Sequence, residues 1–497
     1  MDSKSGEGAL DASVVNDVSV LSVTSIPASS NVSDTKLVPQ TFEVKDEEPP
    51  DVEPRKERNL VMKLDLRILG PSILIFLLCF LDRSNIGNAR ILNQDTGHSL
   101  VQTLNLSGYQ FMVSLMLFLI TYTVFESPSN FMLKRFRPSR WIAFLMMAWG
   151  ALTMCLAAAH SYAALNAVRI LLGAAEAGLF PGLVFVLTFW YKPNERLLRI
   201  APIFASGSAA GAFGGAIAYG IGHLNGKNGL EGWRWLFILE GLPSCVMSIY
   251  VFFCFPDWPE TAMWLSAEER LLAVRRLRGD ASSSKSQTTW KDIKETLAQW
   301  RLAVHYLVYV CIAIPFGSLS LFSPSIVTGL GYSGLRAQLF TVPPYACAYV
   351  VTIAIAVSAE RTNARSVHAL LAMLTSSAAF LAQALIPATS FKARYSLFCI
   401  AASGSFACIP PLVGWLSSNL HTTTAAGLAL GINISFGGVG QIVGTWIYPI
   451  TDAPRYLKGH FINFGVLLVG SVLVIGLRFF YQHKNKRLSV GEKMWVL

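Results

Sequence analysis

The sequence predicts an all-α membrane protein, with twelve transmembrane helices in two six-helix, pseudo-symmetric halves. Three observations predict it. Hydrophobic residues make up 53% of the chain and charged ones only 14%, far below the roughly one quarter charged of a soluble domain. Apolar stretches recur with short polar gaps, each near the twenty or so residues that a helix needs to cross the hydrocarbon. Their order is six, one long polar gap, then six.

Residues 1–60 are Ser- and Val-rich and end in "FEVKDEEPPDVEPRKER", a composition that predicts a disordered acidic cytoplasmic tail. No basic region precedes an apolar core there, so no cleaved signal is expected, and Asp2 excludes myristoylation. The amino-terminal half, 61–255, carries spans at about 66–89, 108–128, 140–160, 163–190, 199–222 and 234–255. The segment 256–301 is polar and rich in helix formers ("WLSAEERLLAVRRLRGD"), which predicts a partly helical cytoplasmic loop outside the bilayer. The carboxy-terminal half, 302–481, carries spans at about 302–324, 338–358, 367–387, 394–417, 423–449 and 459–481, and 482–497 is a second cytoplasmic tail.

Orientation follows from where Lys and Arg lie in the loops. Lys134, Arg135, Arg137 and Arg140 sit between spans two and three, and Arg270, Arg275, Arg276 and Arg278 in the central segment, whereas 91–110 has neither residue type. Both termini are therefore expected in the cytoplasm. The sequon Asn105-Leu106-Ser107 then falls outside. This loop clustering accounts for the net charge of +10 without a nucleic-acid partner. "KRFRPSR" after span two and "AERTNAR" after span eight are matching basic turns, traces of a repeat that would lock the cytoplasmic helix ends.

Several chemistries are excluded. The eight cysteines form no CxxC pair and lie in or beside apolar segments, as packing residues do. The eight histidines lack HxxxH or HExxH spacing, so no metal is expected. "GSAAGAFGGAIAYG" and "FGGVGQIVG" follow no strand and lack the Lys-Ser/Thr of a phosphate loop, so they read as helix-packing surfaces. No nucleophile, base and orienter occur together, so no enzyme and no cofactor are expected.

What remains is charge inside the membrane, where each ionised group costs about 2.5–3.5 kcal/mol on insertion scales and so faces the bundle interior. Asp82 and Arg83 lie in span one, Glu126 near the end of span two, and Arg169 and Glu176 in span four. Arg169 and Glu176 are seven apart, so both occupy one helix face, with Gly173 between them leaving space. Asp82 and Asn85 share a side of span one, while Arg83 points about 100° away from Asp82. Two readings stand open. In one, Asp82–Arg169 and Glu126 with another base are static ion pairs. In the other, Arg83 and Arg169 clamp a carboxylate through planar bidentate hydrogen bonds, and Glu176 is neutralised by a proton.

"LDRSNIGNARI", "FESPSNFMLKRFRPSRW", "RILLGAAEAGLFPGLVFVLTFWY", "GWRWLFILEGLPS" with "FPDWPETAMWLSAEER", "TVPPYACAYV" and "APRYLKGHF" occur in order along the chain. Together they resemble the fungal allantoate permease group of the anion:cation symporter family, within the major facilitator superfamily. The resemblance implies proton-coupled uptake of a small organic anion across the plasma membrane, by a monomer that rocks its halves about a central site. More distant relatives share the R-x-N-x-G pattern, here Arg83 to Gly87, and the R-x6-E pattern, here Arg169 to Glu176. From them the resemblance implies substrate-anion roles for Arg83 and Arg169, a proton role for Glu176 and a pocket role for Tyr122. Asn85 and Tyr345 are expected to shape the pocket, and Asp82 and Glu126 to tune the proton-linked charge network.

The sequence also departs from those relatives. Leu115 stands where they have a pocket histidine, Lys134 and Phe136 where the superfamily loop has aspartate and glycine, and "HTTTAAG" follows Trp415 and Asn419 in place of a basic pair. Two other functions stay open at this stage: export of a carboxylated metabolite, and a non-transporting nutrient sensor with the same fold.

Overall fold

The computed structural model describes residues 54–487 and 494–497, apart from 278–293, 295–297, 333, 388 and 421–422. Most of the predicted tail, Arg278, and the first two residues of "HTTTAAG" lie outside the described residues. Every regular element among those described is helical.

In the first half α1 (Pro54–Leu64) runs through a π-helical stretch into α2 (Gly70–Ile91). A one-turn α3 (Leu100–Thr103) precedes α4 (Gly108–Arg135). Ser107 caps α4: its hydroxyl accepts from the Gln110 N–H at 3.2 Å, and the Gln110 side chain accepts from the Ser107 N–H at 2.9 Å. Pro138 opens α5 (Pro138–Leu156) at a position where its missing N–H costs nothing. Then come α6 (Tyr162–Glu176), α7 (Leu179–Thr188), α8 (Pro193–Gly222) and α9 (Gly232–Cys254).

The central segment contains α10 (Ala267–Arg275), started by a reciprocal Ser266–Glu269 cap. Lys63 of α1 pairs with Glu269, and Arg276 pairs with Glu195, so this surface helix is tied to the amino-terminal half. The second half comprises α11 (Trp300–Gly329), α12 (Gly334–Leu339), α13 (Val342–Arg361), α14 (Arg365–Leu385), α15 (Phe391–Ala407), α16 (Ile409–Ser418), α17 (Thr423–Trp446) and α18 (Leu457–Asn485). Among the described residues eleven segments are long and apolar enough to cross a membrane. The 24-residue α17 is outside that set and occupies the place predicted for the eleventh span.

Two spans expected as single helices are broken, and at corresponding positions of the halves. Span four divides after Glu176, where Gly178 takes a left-handed φ of +78°. A Cβ on Gly178 would lie 2.7 Å from that of Ser129, so both the backbone and the close helix approach require glycine. Span ten divides at Cys408, because Pro410 and Pro411 have no N–H to continue the ladder.

The halves meet at both ends. Away from α1, the backbone of Leu321 lies 2.6 Å from where a Gly87 Cβ would stand, and Gln338 Nε2 donates to the Asn88 carbonyl at 3.0 Å. Near α1, Leu197 packs on Gly414 and Thr123 on Gly438. The basic turn after span eight pins its neighbours as its charge predicts. Arg365 Nη1 donates to the Gly414 carbonyl at 3.0 Å and Nη2 to Glu360 at 2.8 Å. In the equivalent turn of the first half, the Ser139 N–H donates to Asp257 at 2.8 Å.

Candidate functional site

Between these two contacts lies an enclosed hollow. Phe80 and Arg83 of α2, Leu115 and Phe118 of α4, and Arg169 of α6 line one wall. Phe316, Gly317, Ser320 and Leu321 of α11 and Gln441 of α17 supply the other. Its free volume is about 10 Å³, which holds one water molecule and no substrate. The structure is thus closed around its centre.

Helix geometry brings the two guanidinium groups here. Arg83 Cζ lies 4.2 Å from the Tyr122 ring centre and 5.4 Å from that of Phe118, while Arg169 Cζ lies 4.3 Å from Phe118. Phe118 is therefore shared by both cations, and such contacts gain strength where water is excluded. Gly173 makes the approach possible, since a Cβ there would meet the Phe118 carbonyl oxygen at 2.4 Å.

Their partners differ. Arg83 Nε donates to Glu176 Oε2 at 3.2 Å, and the second Glu176 oxygen is buried without a hydrogen-bond partner. Arg169 is 1% exposed, pairs with no carboxylate among the described residues, and leaves its Nε buried and unbonded. Glu176 ends α6 at the helix break, which sets its carboxyl beside Arg83. The expected static pair of Asp82 with Arg169 is absent. Asp82 Oδ2 instead accepts from Ser244 of α9 at 2.7 Å, and Asp82 is outside the lining of the hollow. Adjacent in sequence, Asp82 and Arg83 thus address different neighbours, as 100° of helical rotation requires. Glu126 makes no salt bridge among the described residues, and neither of its oxygens finds a hydrogen-bond partner, although Arg83 is within electrostatic reach.

The remaining predicted residues fall at different depths. Tyr122 stacks on Arg83, which lines the hollow, but is itself outside the lining. Asn85 is fully buried, with its oxygen accepting from Asn88 Nδ2 at 3.3 Å, and is outside the lining. The Tyr345 hydroxyl donates toward the Leu319 carbonyl at 3.0 Å and Ser323 Oγ at 3.1 Å, and its ring packs on Gly211 and Phe406. Tyr345 is therefore a wedge between the halves and does not line the hollow.

Most of the lining escaped the sequence reading, and so did one buried carboxylate. Phe118 and Gln441 line the hollow but are ordinary members of apolar helices. Glu240, in "FILEGLPS", is 3% exposed with both oxygens unbonded, one turn before Ser244 and within electrostatic reach of Asp82. A carboxylate in the middle of an apolar run was the available signal.

The profile of the Major Facilitator Superfamily matches residues 72–445. The MFS transporter prlL of Fungal sp. (strain NRRL 50135) is 53% identical over 433 residues, covering 86% of this chain and 88% of that protein. The MFS-type transporter cnsO of Penicillium expansum is 33% identical, covering 88% of this chain and 86% of its own. A solved bacterial homologue of the human lysosomal transporter Spinster, inward-facing and unoccupied, superimposes with a TM-score of 0.62 at 16% identity, over 87% of this chain and 98% of the other.

Proposed function

The chain belongs to the Major Facilitator Superfamily, and from that premise we propose that this membrane transporter carries a small organic anion together with protons by alternating access. One observation carries the proposal. Two guanidinium groups from separate spans reach the same enclosed hollow, and one of them, Arg169, makes no salt bridge among the described residues. A buried cation without a partner is costly, and a bound carboxylate would relieve that cost through charge-assisted hydrogen bonds. Intramembrane charge that faces a bundle interior marks substrate pathways.

In this proposal Arg169 and Arg83 clamp the carboxylate, and Tyr122 fixes the Arg83 plane. Glu176 holds Arg83 while the hollow is empty and takes a proton when the anion replaces it. Asp82 and Glu126 adjust the charge of the surrounding spans. Asn85 and Tyr345 act at a distance, through helix packing. The broken spans four and ten supply flexible joints beside the site, a feature of carriers built from repeated halves. The sequence motifs favour the allantoate permease group of the anion:cation symporters, with uptake at the plasma membrane, cytoplasmic termini and a monomeric carrier.

The test is uptake of a panel of labelled carboxylates into sealed cells, with and without a protonophore. Protonophore-sensitive accumulation of one carboxylate supports the proposal. Lowered internal label would instead mean export, and no movement of any panel member would reject an anion carrier.

A further inference from the structure

Arg90 is the second arginine of α2. Seven residues beyond Arg83, it occupies nearly the same face of α2, about 10 Å along the axis. Its side chain sits where the halves meet at the end away from α1. The guanidinium carbon lies 4.9 Å from the ring centre of Phe111, in the first half, and 5.6 Å from that of Phe322, in the second. Arg90 is 8% exposed; it makes no salt bridge and donates no hydrogen bond among the described residues, and its Nη1 is fully enclosed. The Tyr456 phenol is within electrostatic reach.

Leu321 separates this arginine from the hollow. Its side chain lines the hollow and its backbone abuts Gly87, midway between Arg83 and Arg90 along α2. Parting the halves at that contact would join the two places into one path. We propose that Arg90 is a second anion-binding station, which receives the carboxylate of a small organic anion and passes it to Arg83 when the Gly87–Leu321 contact opens.

The physical case has two parts. A buried guanidinium facing only aromatic rings retains its hydrogen-bonding capacity for an anion, because ring faces offer charge attraction but no acceptor for its fork. Positive charge in a low-dielectric passage also concentrates anions at its mouth. The station rests on the carboxylate-carrier proposal above.

The experiment uses the full chain in proteoliposomes under an inward proton gradient, with labelled acetate, benzoate, nicotinate and pantothenate as probes. For a carried probe, Arg90→Met, which keeps length and packing, is expected to raise KM at least tenfold with the maximal rate within about twofold. Arg90→Lys, which keeps the charge but not the fork, is expected to recover part of that loss, with a KM between those of the Met variant and the unaltered protein. An unchanged KM in Arg90→Met, or equal impairment in the Met and Lys variants, overturns the station and leaves the carrier intact. If the unaltered protein carries none of the four, the carboxylate proposal fails and the station with it.

Discussion

Arg169 carries the sharpest consequence at the scale of single residues. It is buried, makes no salt bridge among the described residues and is stacked on Phe118, a position in which a planar fork and a point charge are not equivalent. Arg169→Lys is expected to lower transport efficiency at least about 100-fold, near 2.7 kcal/mol at 1.36 kcal/mol per decade; near-normal uptake would count against the clamp. Glu176→Gln removes the charge that holds Arg83 at 3.2 Å. Uptake by that variant is expected to depend less on external pH, and an unaltered pH profile would move proton coupling elsewhere. Arg83, Arg169 and Glu176 were legible in the sequence because ionised residues in apolar spans are rare. Phe118 and Gln441 were not, since an aromatic or amide in a span looks the same whether it faces lipid, a neighbour or the hollow.

At the scale of elements, the break in span four depends on Gly178. Gly178→Ala would put a Cβ at positive φ, at about 1–2 kcal/mol, and against Ser129 besides. A fall in thermal stability together with reduced transport is expected; an unaltered melting temperature would show that the break tolerates a side chain. The Lys63–Glu269 clasp between α1 and α10 gives a second expectation. The hydrogen bond from Lys63 holds the Glu269 carboxyl below its usual range. With the folded value depressed, the clasp contributes above the unfolded carboxylate range near pH 4.3 and is lost as pH falls through the lower folded value. The pair is solvent-accessible, so Glu269→Gln is expected to lower stability at pH 7 by no more than about 1 kcal/mol. The difference from the unaltered protein should vanish in strong acid, which thermal unfolding across pH would measure. The helices themselves were legible from apolar run length, but both breaks were read as continuous spans, because apolar content does not report a glycine's φ or the missing N–H of paired prolines.

At the scale of the whole described bundle, the hollow is closed by inter-half contacts on both sides: Asn88 with Gln338 at one end and Thr123 with Gly438 at the other. Rocking requires that they open in turn. In a cysteine-free background, Asn88→Cys with Gln338→Cys, and Thr123→Cys with Gly438→Cys, are each expected to cross-link with a short bismaleimide and to slow transport more than tenfold. Undiminished transport with either end cross-linked would rule out rocking. The sequence by itself determined that the chain crosses the membrane, roughly where, and which few charges must face inward, because the cost of exposing backbone or charge to hydrocarbon is local to each segment. Only the tertiary structure decided that Arg83 meets Glu176, that Asp82 turns to Ser244, that Tyr345 wedges the halves and that Arg90 stands unpaired between them. Those facts depend on the rotation of each helix about its axis, which is fixed by close packing against neighbours distant in sequence.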